Sequence, residues 1–161
     1  MKSELRFEYV NEMIMKNLFV WIGVLFLILA CENESEPDLT VVGKWELVEI
    51  YNPWTGEAGT QYVDRYFQTY QFMSNGTFTK TRKNEGGTIT TGSGTYELEE
   101  VPLYISSDAK LYINLTYIGG DEVKNNCGEP NSEQLHLRSN GRLNNFSATP
   151  CDGPGYTFEK K

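Results

Sequence analysis

After residue 40 the chain alternates between apolar and polar positions with a period of two. Leu111, Ile113, Leu115 and Tyr117 fall on one side of a run whose other side is Tyr112, Asn114 and Thr116. That is the signature of a half-buried strand, because successive side chains point to opposite faces. Leu135 and Leu137 alternate in the same way with His136 and Arg138, and Tyr156 and Phe158 share a side near the end. No ten-residue stretch beyond Val41 carries a helical 3.6 period. The pattern predicts strands over 41–51, 66–73, 77–82, 88–100 (bent at Gly92-Ser93-Gly94), 103–106, 110–118, 135–138 and 155–159. Turn residues separate them: Ser74-Asn75-Gly76, Gly86-Gly87 and Ser107-Asp108. Two registers are open at the first of these turns. A two-residue Asn-Gly turn pairs Met73 with Phe78, and a three-residue turn with Gly76 left-handed pairs Phe72 with Phe78. The second places two aromatics on one face and is preferred. About eight short strands in a meander close most economically into an all-β, antiparallel up-and-down barrel, which leaves no exposed edge.

A different pattern precedes the strands. Residues 18–30, LFVWIGVLFLILA, are thirteen apolar residues in a row, with Lys16 just before them and Cys31 just after. At about 1.5 Å per residue such a tract spans roughly 20 Å, short of a hydrocarbon core of about 30 Å. A basic residue, a short apolar run and a small residue before a cleavage point form a secretory signal. Residues 1–30 are therefore expected to be an export signal; residues 1–14, mixed in charge, suit a misassigned start with Met15 as the natural one. Residues 31–39 hold four acids and a Pro, too polar to bury, and are expected to be a flexible tether to a folded domain at 40–161.

Ile28-Leu29-Ala30-Cys31 resembles the lipobox of bacterial lipoproteins. The resemblance implies acylation at Cys31, and two or three acyl chains give stable anchoring where one is marginal. The acids after Cys31 also resemble the surface-export signal of lipoproteins in the Bacteroidetes group, and a plain solvated linker explains them equally. Gly43-Lys44-Trp45 is similar to the Gly-x-Trp signature of lipocalins and lipocalin-like lipoproteins, with further echoes at Phe72–Phe78 and Gly94-Thr95-Tyr96-Glu97-Leu98. That family implies a barrel with Trp45 plugging its closed end, an Arg from a late strand (Arg138 or Arg142) packed on the Trp, and a small apolar or amphipathic ligand inside. Exported β domains of the heat-shock META type are similar in part and imply a packed core without a cavity.

Composition narrows the function. Aromatics make up 13% of the 161 residues, and Gly numbers 15, a mix that suits strands and turns. Lys plus Arg number 14 against 22 Asp plus Glu, a net charge of −8, and the first thirty residues contribute three of each sign. The acidity therefore belongs to the domain and its tether and argues against nucleic-acid binding. With Cys31 claimed by lipid, Cys127 and Cys151 are expected to pair in an oxidising compartment. No Cys-x-x-Cys occurs and His136 is the single His, so no metal is expected. His136 faces away from Leu135 and Leu137, as a solvated strand residue. There is no Gly-x-Ser-x-Gly elbow, phosphate loop or dinucleotide fingerprint, and no catalytic residue or cofactor is expected.

The expectation is a non-enzymatic lipoprotein of the bacterial envelope, lipid-anchored in the outer membrane and facing the periplasm or the surface. Its ligand would be held by Trp45, Leu47, Tyr70, Phe72, Phe78, Tyr96, Leu98, Ile113, Leu115 and Tyr117. The alternative is a surface module that binds or inhibits an envelope protein and has no cavity. Tyr51, Trp54, Tyr62, Tyr66 and Tyr70 cluster around the loop 52–64, at what would be the mouth. They suit recognition or a satellite cluster equally.

Overall fold

A computed structural model describes residues 40–61, 63, 66–84, 86–102 and 108–161. The signal, Cys31, the tether, Tyr62, Asp64 and the strand expected at 103–106 lie outside the described residues. Among the described residues nine strands follow one another: β1 (Gly43–Asn52), β2 (Glu57–Gly59), β3 (Gln68–Phe72), β4 (Thr77–Lys83), β5 (Ile89–Glu100), β6 (Ala109–Gly119), β7 (Ser132–Arg138), β8 (Leu143–Asn145) and β9 (Gly155–Lys160). The helical pieces among the described residues are two 3-10 turns, Asp121–Val123 and Thr149–Cys151.

Eight of the strands form a closed antiparallel ring, β1-β3-β4-β5-β6-β7-β8-β9, with β9 returning to β1. β2 stands outside the ring as the return arm of a hairpin on the end of β1, pairing Ile50 with Gly59 and Asn52 with Glu57. The ring closes because β1 is long enough to serve two partners. Its first half pairs with β3, and most of its length with β9 across a bulge between Leu47 and Glu49. Every ladder and the whole buried core lie within Pro37–Lys161, a compact unit in itself, so this segment carries its own fold.

The strands arise from the period-two pattern. In β6, Ile113, Leu115 and Tyr117 are buried while Lys110, Thr116 and Ile118 are exposed. The first hairpin of the ring takes the three-residue turn: Phe72 pairs with Phe78, and Gly76 sits at φ +79°, where a side chain would be strained. Between β5 and β6 the register slips at Ser93/Gly94, the bend expected at Gly92-Ser93-Gly94. A Cβ on Gly94 would collide with the Thr116 carbonyl, so the two strands approach too closely there for any other residue. Two short strands, β2 and β8, escape the sequence pattern because three residues hold too little alternation to register.

One end of the barrel is closed. Trp45 is fully buried, and its Nε1 donates to Val41 O at 2.8 Å. Neither arginine expected to cover it does so. Arg138 grips Asp108 through both oxygens, with Nε at 2.6 Å from Oδ2, and Arg142 pairs with Glu159 at 2.7 Å. Lys160 takes the position, its Nζ 6.0 Å from the Trp45 ring centre and tied to Thr40 O and Oγ1 at 3.0 and 2.6 Å. Arg138 lies on the outer face, in alternation with the buried Leu135 and Leu137, which is why it turns away from the Trp.

Candidate functional site

The core is continuous: Trp45, Leu47, Tyr70, Phe72, Phe78, Ile113, Leu115 and Tyr117 belong to one buried cluster. Its rings touch. Tyr70 stacks on Phe72 at 5.8 Å, Phe78 meets Tyr117 edge-on at 5.0 Å, and Tyr96 meets Phe72 edge-on at 5.1 Å. Tyr96 is half-buried at the base and donates to Met73 O at 2.8 Å. Leu98 is a correction: it is 51% exposed and faces solvent rather than the interior. β4 pairs with β5 only as far as Thr95, whereas β5 continues on β6 to Glu100. Leu98 therefore sits on an overhang beyond the closed end, where period two no longer means inward.

Charge lies inside the barrel. Lys80 and Glu133 are fully buried and face each other, Nζ to Oε1, at 2.8 Å. The Glu133 carboxylate also accepts from Tyr70 OH at 2.7 Å, Tyr117 OH at 3.0 Å and the Asn125 backbone N–H. Four donors saturate a carboxylate, which accepts about four hydrogen bonds, and this is what allows the ion pair to exist away from water. Asn145 Nδ2 donates to Tyr70 OH at 3.1 Å, and Asn125 Nδ2 to Gln68 Oε1 at 2.8 Å. Burial lowers the Lys80 ammonium to about 8, against the opposing pull of Glu133. Burial and then the Glu133 charge push the Tyr70 and Tyr117 hydroxyls well above the phenol range, so both stay protonated as donors.

The sequence pattern placed Tyr70 and Tyr117 inward, but their polar partners were missed although the signal was present. Period two carries the inward side from Phe78 to Lys80, from Phe72 through Tyr70 to Gln68, and from Leu135 back to Glu133. Each polar residue is one step along a face already judged apolar.

Above the cluster the barrel opens. A cleft of about 770 Å³ lies at the mouth, between the β1–β2 hairpin, Tyr66 and the segment leading into β9. Its walls carry Tyr51, Trp54, Tyr66 and Tyr156 among smaller polar residues. Trp54 is 77% exposed. Tyr51 is braced from behind by an edge-on contact with Phe146, 6.2 Å between centroids. Tyr156 lines the cleft and packs against the buried core, within which Asn125 links Gln68 to Glu133. Burial raises the Tyr156 hydroxyl above its usual range. Of the residues expected to hold a ligand, none lines this cleft; all but Leu98 belong to or pack against the interior beneath it.

The two loops beside the mouth are joined by a disulfide between Cys127 and Cys151, with Cα atoms 6.1 Å apart. His136 lies on the outer wall, its ring 4.8 Å from that of Tyr112, and burial lowers its basicity, helped by Arg138.

The connectivity and the closed ring define an eight-stranded up-and-down β-barrel with an aromatic cleft at its open end. Among solved structures, the chain is similar to a lipocalin-like protein from Bacteroides uniformis ATCC 8492, with a TM-score of 0.46 and 20% identity over 75% of this chain and 98% of that one. It is also similar to an uncharacterized protein from Bacteroides eggerthii DSM 20697, with a TM-score of 0.44 and 20% identity over 76% of this chain and all of that one. No family model and no curated protein matches it.

Proposed function

We propose that the chain is a non-enzymatic, exported lipoprotein whose barrel, lipocalin-like in form, takes a small amphipathic ligand at its mouth. The cleft of about 770 Å³ carries this reading: it has the size of a small-molecule site and an aromatic wall with polar groups at its rim. The ligand sits higher than the sequence suggested, because the inward aromatics pack on one another and on the Lys80–Glu133 pair. Apolar surface leaves water as the ligand enters, and the tyrosine hydroxyls set its orientation. The apolar run at 18–30 ending in Cys31 supports export and acylation, with the outer membrane as destination. β1 begins at the closed end, at the other end of the barrel from the cleft.

Native mass spectrometry of the protein extracted from its own membrane tests both parts. The expected result is a mass at Cys31 raised by acyl chains and a small molecule retained without covalent attachment. Acylation that persists in Cys31→Ser overturns the anchor, and a cleft that never holds a ligand above solvent background overturns the binding role. The exposure of Trp54 favours one second reading, a protein partner docked on the same face; it predicts capture of an envelope protein that Trp54→Ala abolishes while the barrel stays folded.

A further inference from the structure

The charges around the cleft select its ligand. Two carboxylates line it, Glu57 on β2 and Asp152 just after the second 3-10 turn, and no Lys, Arg or His is among the described lining residues. Neither carboxylate makes an ion pair or a side-chain hydrogen bond among the described residues. Both are held in place by backbone. Glu57 pairs with Asn52 in the β1–β2 ladder. Asp152 adopts φ +61°, its N–H bonded to Thr149 O at 3.1 Å, and it follows the disulfide-bonded Cys151 directly. Tyr51, Trp54, Tyr66 and Tyr156 line the same cleft.

We infer that the mouth cleft binds an organic cation, an ammonium group carried on an apolar body. The inference rests on the reading of the cleft as a small-molecule site. Aromatic faces carry negative quadrupole potential and attract a desolvated cation, and tyrosine and tryptophan serve this better than aliphatic walls. The two carboxylates add counter-charge that a neutral ligand does not use and an anion opposes. The acidic excess of the whole chain, −8, raises the local concentration of cations in the same sense. A site for an anionic amphiphile, such as a fatty acid, needs a basic residue to meet the headgroup, and none stands on the described walls.

Three soluble amphiphiles with one tail separate the possibilities: octyltrimethylammonium, octyl glucoside and octyl sulfate, each below its micelle concentration. The protein is the self-contained segment 37–161, and Trp54 fluorescence reports occupancy. Octyltrimethylammonium is expected to bind about tenfold tighter than octyl glucoside, an advantage that molar salt reduces, with octyl sulfate weakest. In the Glu57→Gln/Asp152→Asn protein the advantage of the cation over the glucoside should shrink to about two- to threefold, the part that the aromatic faces supply, with far-UV circular dichroism unchanged. Equal affinity for all three, or a cation preference undiminished in the double variant, overturns the inference and leaves the amphipathic cleft standing. Saturable binding of none of the three overturns the inference together with the reading it rests on.

Discussion

Replacing Lys80 with Met tests the buried ion pair most directly. Both Lys80 and Glu133 are fully enclosed, and Nζ lies 2.8 Å from Oε1. Met fills most of the lysine's volume, so the loss is electrostatic rather than steric. Glu133 keeps three donors, the Tyr70 and Tyr117 hydroxyls and the Asn125 N–H, but has no counter-charge. Breaking a buried pair from one side costs about 3–5 kcal/mol, a large part of the roughly 5–15 kcal/mol that holds a domain together. Urea unfolding of segment 37–161, followed by circular dichroism, should show that loss at an unchanged slope. Adding Glu133→Gln should recover about 2 kcal/mol of it, since a neutral amide no longer carries a stranded charge.

The same cluster fixes a pH dependence. Above the ordinary phenol range unfolded Tyr70 and Tyr117 ionise while the folded hydroxyls stay protonated. The folded state then binds more protons, so stability falls as pH rises. Lys80→Met should keep this fall, because it belongs to the two tyrosines. A loss below about 1 kcal/mol in Lys80→Met would refute the reasoning, because that is the range of a solvent-screened pair.

Three further outcomes follow from single features. Trp54, 77% exposed, should emit as a solvated indole and Trp45, fully buried, as an apolar one; Trp54→Phe should remove the red component and change stability by less than about 0.5 kcal/mol. Opening the Cys127–Cys151 bridge by Cys127→Ser/Cys151→Ser, across a sequence separation of 24, should lower stability by about 3.5 kcal/mol in thermal or urea unfolding. Gly94→Ala, which drives a Cβ into the Thr116 carbonyl, should cost about 3 kcal/mol, whereas Gly56→Ala, at φ +70° with no neighbour in reach, should cost only the smaller backbone penalty of about 1 kcal/mol.

The strands were legible because alternation is a local property. Ile113, Leu115 and Tyr117 declare an inward face within a few residues, and the Asn75-Gly76 turn sets Phe72 opposite Phe78 without any distant information. The disulfide followed from compartment and count, since two cysteines remained once Cys31 was assigned to lipid. Local alternation also misled at Leu98, where the face continues past the point at which β4 stops covering it. What only the tertiary structure decided is which inward residues meet. Lys80 and Glu133 are 53 positions apart, and their pairing depends on the closing register of the whole ring. The cleft is likewise the product of closure: a hairpin at 50–59, Tyr66 and the entry to β9 converge only because β9 returns to β1. A side chain's facing is set by its neighbours along the chain, but its partner is set by the strand brought alongside, and that is a property of the closed barrel.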